Sequence, residues 1–199
     1  MSEQVLKAKG AKRREEILLI ARNVLISDGF SQFSMRDIAG RADMKLGNLQ
    51  YYFPSREELL EAVVRAEFEA NLAAVQTIGD ASGDGAEALT DAARYLVRQW
   101  LNEGARIYAV MSFLAMHEDR FQKLHREIYE QFYEALDPFL TRAKSEMKKA
   151  ERLRKARLVT ALMDGALLQS RDESSGRAGV MPTRFVDDVV AAILLIAKS

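Results

Sequence analysis

The sequence predicts an all-α fold with a small N-terminal domain over residues 1–56 and a larger helical domain over residues 57–199. Apolar residues recur at intervals of three and four along most of the 199 residues, which is the spacing of a buried helix face. No segment alternates apolar and polar residues as a half-buried strand would. The chain also carries no internal repeat and no low-complexity tract, so an ordinary helical fold is expected.

The first two elements are a basic segment and one amphipathic helix. Residues 1–9 are polar and basic and predict a loose arm. A helix is predicted over residues 11–28, and Gly29 suits its end because glycine accepts the left-handed conformation that closes many helices. The apolar residues that give this helix its buried face are Ile17, Ile20, Ala21, Val24 and Leu25.

The next segment predicts two short helices joined by a tight turn. Ser34 caps the first helix, Asp37 suits its positive end, and Asp43 suits the turn because aspartate tolerates left-handed backbone. The side chains expected to be buried are Met35, Ile38, Ala39, Ala42, Leu46, Leu49 and Phe53. Polar side chains suited to phosphates and base edges alternate with them: Arg36, Arg41, Lys45, Asn48, Gln50 and Tyr51. This division is typical of a DNA-binding helix-turn-helix, in which one face packs and the other enters the major groove.

The remaining elements are predicted as helices separated by polar or glycine-rich breaks. Pro54 and Ser55 end the short pair and begin a long helix that runs to about Ile78, followed by a loop at residues 79–85. Helices are then expected over residues 86–102 and 105–116, from about Glu118 with a kink or new start at Pro138, across residues 144–168, and from Pro182 or Thr183 to the end. Residues 171–179 predict a second loop.

The segment with the short helices resembles the TetR/AcrR family of one-component transcriptional regulators. The resemblance is carried by the runs of residues 34–39, 42–45, 47–53 and 55–59 and by their spacing. It implies a helix-turn-helix domain followed by a helical ligand-binding and dimerisation domain. Three positions depart from the family pattern: Asp43 replaces the turn glycine, Lys45 replaces a small polar residue, and Gln50 replaces a tyrosine.

The resemblance implies which residues contact DNA. They are Ser34, Arg36, Lys45, Gly47, Asn48, Gln50, Tyr51, Tyr52 and Arg56. Asn48 and Gln50 can read adenine, whereas the hydroxyl and guanidinium groups suit phosphates or guanine. Three assignments have an alternative interpretation. Tyr52 is part of the core rather than a DNA contact, and Arg41 is a solvated surface charge rather than a DNA contact. The arm at residues 1–9 contacts phosphates or the minor groove rather than being disordered.

The second domain is expected to pair two copies and to bind a small molecule of unknown identity. The proposed dimer interface consists of Leu158, Ala161, Leu162, Gly165, Leu168, Val186, Val189, Val190, Ile193 and Leu194. The proposed effector pocket consists of Tyr95, Trp100, Tyr108, Met111, Phe113, Met116, Phe121, Tyr129, Phe132 and Met163. For both sets the alternative is that the side chains simply fill the core of one protomer. Residues 161–167 also resemble a short segment of the family branch that responds to choline.

Composition narrows the functional classes. The chain has no cysteine, so disulfides and thiolate metal sites are excluded, and a reducing cytoplasm is the expected location. Residues 1–56 carry ten basic and six acidic side chains, a net charge of +4, and the remainder carries −4. A basic N-terminal domain (the head, residues 1–56) followed by an acidic domain (the body, residues 57–199) favours contact with DNA at one end.

The sequence shows no evident catalytic nucleophile, phosphate-binding glycine loop or metal-ligand cluster, and His117 and His125 are two helical turns apart. We therefore expect a regulator, most simply a repressor, and neither an enzyme nor a cofactor-binding protein.

Overall fold

The computed structural model describes residues 3–81, 85–101, 104–169 and 183–199, and over these residues the regular structure is helical. The α-helices are α1 (Glu3–Ser27), α2 (Met35–Arg41), α3 (Leu46–Tyr52), α4 (Arg56–Ala81), α5 (Gly85–Leu101), α6 (Gly104–Ala115), α7 (Asp119–Ala143), α8 (Lys149–Gln169) and α9 (Thr183–Lys198). A short 3₁₀ turn spans Phe30–Gln32 between α1 and α2. The all-α prediction is confirmed within this part of the chain.

The structure differs from the predicted elements at four places. One is the helix predicted from residue 144, which begins at Lys149 as α8. Residues 3–9 are not a loose arm but the first turns of α1, where the lysines, alanines and leucine are good helix formers. Of the predicted loop at residues 79–85, residues 79–81 belong to α4 and Gly85 begins α5, and residues 82–84 lie outside the described residues. No new helix begins at Pro138, which lies inside α7. The predicted loop at residues 171–179 falls outside the described residues.

The caps and turns that the sequence predicted are present. Ser34 Oγ accepts a hydrogen bond from Asp37 N at 3.2 Å, and Ser55 Oγ accepts one from Glu58 N at 3.1 Å. Gly29, two residues after the end of α1, has φ +86°, in the left-handed region that glycine adopts without steric cost. These contacts set the points at which α1, α2 and α4 begin or end.

One continuous cluster of buried apolar side chains runs through the molecule. It includes Ile17 and Leu49 from the N-terminal helices and Phe121 and Ile193 from the larger part. Because α4 contributes buried side chains along most of its length, it belongs to both parts. The boundary expected at residues 56 and 57 therefore coincides with the start of a helix rather than with a flexible linker.

Ionic contacts reinforce the packing of α7 against α4. Glu61 accepts hydrogen bonds from Arg65 at 3.0 Å and from Arg120 at 2.8 Å, and Arg65 also pairs with Glu127 at 2.8 Å. Burial alone would raise the pKa of Glu61, but the hydrogen bonds from Arg120 and Arg65 outweigh it, so this pKa lies below its ordinary value. The carboxylate thus stays charged between two guanidinium groups.

Candidate nucleic-acid interface

The turn between α2 and α3 has the geometry that a helix-turn-helix requires. Asp43 has φ +48°, in the left-handed region predicted for it. Asp43 N donates to Gly40 O at 3.1 Å, and Met44 N donates to Ala39 O at 3.0 Å. These bonds close the end of α2 and direct the chain into α3, which begins at Leu46.

The recognition helix α3 has one buried and one exposed edge. Leu49 is fully buried and Phe53, at its C-terminal cap, is almost so, whereas Tyr51 is 85% exposed. The exposed residues among the predicted DNA contacts are Ser34, Arg36, Lys45, Gly47, Asn48, Gln50 and Tyr51. Tyr52 is half-buried and packs against the core, with its ring edge-on to Tyr51 at 5.4 Å between centroids. Because the apolar edge is held from behind, the polar edge is presented as a rigid surface.

Gly47 provides an open position on this surface. A Cβ atom built at Gly47 would meet no heavy atom within 4 Å. The glycine is therefore not required by packing inside the protein, and its position on the exposed edge suits a close approach of backbone to a ligand.

Arg13 extends the interface to α1, which the sequence analysis did not anticipate. Its guanidinium donates to Ala42 O and pairs with Glu16 at 2.8 Å. It also lines an open groove beside the recognition helix with Gly40, Asp43, Met44, Lys45, Asn48, Tyr51 and Tyr52. The groove is thus formed jointly by α1 and the helix-turn-helix, and the sequence signal was the run of cations at residues 12–14.

Arg56 has a different environment from the one predicted. Its Nε donates to Phe33 O at 2.6 Å, an Nη donates to Phe30 O at 3.1 Å, and its guanidinium lies 4.2 Å from the ring centroid of Phe30. These contacts hold α4 against the turn before α2. Arg41, for which a solvated role was left open, pairs with Asp28 at 2.6 Å and Asp37 at 2.9 Å.

A polar network that sequence reasoning missed joins the head to the body. Arg22 of α1 binds the carboxylate of Glu67 on α4 with distances of 2.6 and 3.3 Å. One turn further, Asn71 donates to Tyr108 OH on α6 at 3.2 Å and accepts from Tyr95 OH on α5 at 3.4 Å. Burial raises the pKa of Tyr108, so its hydroxyl stays neutral. A sequence signal existed, because Glu67 and Asn71 fall on the stripe that buries Val63, Val64, Phe68 and Val75.

The predicted effector-pocket residues divide into three groups. Tyr108, Met111, Phe121, Phe132 and Met163 are buried, and Tyr95 and Tyr129 are half-buried against the core. Phe113 and Met116 are exposed near the end of α6, so they do not line an enclosed space within the protomer. The side chain of Trp100 lies outside the described residues. Beside Met163, between α5, α7, α8 and α9, an apolar void of about 10 Å³ is present.

A second polar cluster lies between α7 and α8. Tyr129 OH donates to Asp164 Oδ2 at 2.7 Å, and the His125 ring stacks on Tyr129 with 4.2 Å between centroids. Burial raises the pKa of Tyr129, and the nearby Asp164 carboxylate raises it further. Burial lowers the pKa of His125 below its ordinary value, against a smaller opposing effect of Asp164. The imidazole is therefore held in its neutral form around neutral pH.

The residues proposed for the dimer interface fall into buried, half-buried and exposed groups. Val186, Val189, Val190 and Ile193 of α9 are buried inside the protomer, because this stripe packs against the helical core. They are therefore not available to a second copy, which corrects the expectation for these four. Leu162, Gly165 and Leu194 are half-buried. Exposed apolar positions remain on α8 and α9 at Leu158, Ala161, Leu168 and Leu195.

In the described ranges, no group of three or more His, Cys, Asp or Glu side chains is placed to hold a metal ion. None of the helices described has the length and apolar character required to cross a bilayer.

The fold and the exposed edge of α3 together define a helical protein whose N-terminal part is a helix-turn-helix of the kind that binds DNA. Residues 17–63 match the family described as bacterial regulatory proteins, tetR family. This match is confined to the N-terminal part of the chain, and the likeness of the whole chain to solved structures shows its fold.

Curated proteins and solved structures are also similar to this chain. The HTH-type transcriptional repressor KstR of Rhodococcus jostii is 37% identical over 70 residues, which cover 35% of this chain and 33% of that protein. The match spans about a third of the length of such curated relatives. Among solved structures, a transcriptional regulator from Rhodococcus sp. Rha1 has a TM-score of 0.75 at 20% identity and covers 92% of this chain and 94% of its own. A transcriptional regulator from Saccharomonospora viridis, in complex with choline, has a TM-score of 0.74 at 17% identity with the same coverages of 92% and 94%.

Proposed function

We propose that this regulator is a repressor that binds a two-fold symmetric DNA operator as a homodimer and is released from it by a small-molecule effector. The observation that carries the proposal is the exposed polar edge of α3, held rigid by the buried Leu49 behind it. The repressor names of its curated relatives support repression over activation. Such a protein acts in the cytoplasm, where the chromosome is, and performs no chemistry on its ligand.

Dimerisation follows from the information that one head can read. A single recognition helix contacts on the order of 4–6 base pairs, and two heads related by a two-fold axis double this length. The exposed apolar positions on α8 and α9 suit such a pairing. Leu168 and Leu195 are 73% and 72% exposed, and Leu158, also on α8, is 49% exposed, so apolar surface on these helices is left for a partner.

The effector is proposed to bind inside the body, among the aromatic and methionine side chains of α5 to α8. Methionine and aromatic side chains adapt to apolar ligands. An effector in this place would shift the helices that contact α1 and α4 and so move the heads apart. The coupling must be reciprocal, because operator DNA then weakens effector binding by the same factor.

The first experiment selects bound duplexes from a random pool with the purified protein. We expect a two-fold symmetric site whose half-sites are separated by about one helical turn. Affinity for that site should fall steeply as salt rises and should exceed affinity for random duplex by about 10³-fold or more. Failure to bind any duplex at low salt would refute the proposal, and an asymmetric site would refute the dimer.

The second experiment tests base reading by Gln50. Gln50→Ala should relax base preference at one position in each half-site and cost about 1–3 kcal/mol for each half-site. Gln122→Ala, an exposed glutamine of α7 far along the chain from the head, is the matched control and should leave affinity unchanged. A uniform loss of affinity across all sequences would instead place Gln50 on a phosphate.

The third experiment tests the pairing surface. Leu168→Asp should shift the protein from dimer to monomer in sedimentation velocity, because two buried carboxylates would face each other near the two-fold axis. Leu19→Asp alters another exposed leucine, 58% accessible on α1, and should leave the dimer intact. An unchanged dimer in the Leu168 variant would exclude this surface.

The fourth experiment screens small molecules for release of the selected duplex. Choline belongs in the screen, since the S. viridis protein of the same fold was solved with it and aromatic faces beside Asp164 suit a cation. For any compound that releases DNA, effector affinity should be measured with and without operator. Equal affinities would contradict the release model.

A further inference from the structure

The first turns of α1 form an exposed helical extension ahead of the head. The helix begins at Glu3, yet its first buried residue among those described is Ile17. Val5, Lys9 and Lys12 are exposed, and a Cβ built at Gly10 would meet nothing within 4 Å. The contacts of this extension with the rest of the chain lie at its end, where Arg13 donates to Ala42 O and Arg14 lies 4.8 Å from the ring centroid of Phe53.

The extension carries a concentrated positive charge. Residues 5–14 contain five lysines and arginines and no acidic residue. Within the described residues, neither Lys9 nor Lys12 forms an ion pair. A run of cations on an exposed helix is either a solvated face or a face that contacts DNA. Its position relative to the polar edge of α3 decides between these two interpretations.

Arg13 gives that position. It lines the same groove as Lys45, Asn48 and Tyr51 of the recognition surface. Lys9 precedes Arg13 by four residues and so lies on the same helix face about 6 Å further from the body of α1. Lys9 thus continues, along α1, the helix face on which Arg13 lines this groove.

The reach of the extension matches DNA outside the half-site. From Arg13 to Glu3 the helix spans about 15 Å, and this equals about four base pairs of duplex. We propose that this extension, defined as residues 3–14, binds the phosphates of the DNA that flanks each half-site, with Lys9 and Lys12 as the contacting cations. This inference rests on the DNA-binding function proposed above.

The chemistry favours phosphates over base edges. Lysine is a flexible point charge that pairs with phosphate without the planar geometry needed to identify a base. Sequence in the flank should therefore not matter, whereas its length and the salt concentration should.

The test compares wild-type protein with Lys9→Gln/Lys12→Gln on the operator obtained by selection. One duplex ends at the half-site boundaries, and a second extends six base pairs of random sequence beyond each end. Lys148→Gln/Lys149→Gln removes two exposed lysines of the body and controls for net charge. Glutamine has nearly the helix propensity of lysine, so α1 should stay folded, as circular dichroism can check.

Wild type and the body variant should bind the extended duplex more tightly, and the α1 variant should lose this preference. For a dimer with two contacts per head, the slope of log affinity against log salt should fall by about 3.6. Wild type should then lose about 150-fold more affinity than the α1 variant between 50 and 200 mM salt. Equal slopes and equal flank preference in the two proteins would overturn the inference and leave the operator-binding proposal standing. If wild type binds no duplex, the operator-binding proposal itself fails.

Discussion

The ion pair between Arg22 and Glu67 provides the sharpest test of how the head is held to the body. Glu67 is only 8% exposed, and the side chain of Arg22 is 27% exposed. Arg22→Met removes the guanidinium and keeps much of the aliphatic stem. The carboxylate is then left in a poorly solvated position between α1, α4 and α6.

The expected cost follows from that burial. Breaking a fully buried pair by removing one partner costs about 3–5 kcal/mol. Because the side chain of Arg22 is about a quarter exposed, water can reach the Glu67 carboxylate in the variant, which lowers the cost. We therefore expect a loss of about 2–3 kcal/mol in the free energy of unfolding. For a chain of this size the midpoint of thermal unfolding should fall by about 4–12 °C.

The assay is urea and thermal unfolding at fixed protein concentration, since dimerisation would couple to stability. Arg94→Met breaks a looser, partly exposed pair with Asp187 at 3.8 Å and should cost less than about 0.5 kcal/mol. The double variant Arg22→Met/Glu67→Gln removes both charges and should recover part of the loss. If Arg22→Met cost no more than Arg94→Met, the burial argument would be wrong.

Three other predictions concern single positions. Gly10→Ala should raise stability by about 0.5–1 kcal/mol, because Gly10 is inside a helix with open space around it. Gly29→Ala should lower stability, because φ is +86° at this position. The midpoints of urea unfolding compare the two variants directly. Asp43→Gly should be neutral or mildly stabilising at φ +48°, and Asp43→Val should be clearly destabilising in the same assay. Burial lowers the pKa of His125, so the unfolded chain takes up its proton first as pH falls below about 6.5 and stability declines; in His125→Gln the loss between pH 7.5 and 5.5 should be smaller.

The helix-turn-helix was predictable from sequence because its constraints are local. Ser34 caps α2 through a bond to a residue three positions away, and Asp43 takes a left-handed conformation that few residue types tolerate. The buried and exposed edges of α3 follow from a period of 3.6 residues, which the sequence displays directly. No distant part of the chain is needed to specify any of these features.

The apolar stripe of α9, which was predicted to lie in a dimer interface, shows what helical periodicity cannot predict. Val186, Val189 and Ile193 form an apolar stripe on α9, but a stripe does not say whether its partner is the same chain or another. In the structure these side chains face the protomer core. The exposed Leu195 lies on a different face of the same helix and gives little periodic signal by itself.

Arg56 shows the same limit for a charged side chain. Its place at the start of α4 fits a phosphate contact, but the carbonyl oxygens of Phe30 and Phe33 are more than twenty residues away in sequence. Only the folded chain brings them within hydrogen-bond distance. The role of a guanidinium therefore depends on long-range contacts that a local pattern does not contain.

The polar network at the junction offers a physical basis for the release mechanism proposed above. Apolar contacts have little directionality, whereas the bond from Asn71 to Tyr108, at 3.2 Å, and the contact of Arg106 with the backbone oxygen of Ile26 hold α6 in one position relative to α4 and α1. Coupling between two binding sites typically needs about 1–3 kcal/mol, and one buried polar group left without its hydrogen bond costs about the same. The two conformations, with one of these bonds made or broken, would therefore differ by a free energy of the size that the proposed release from DNA requires.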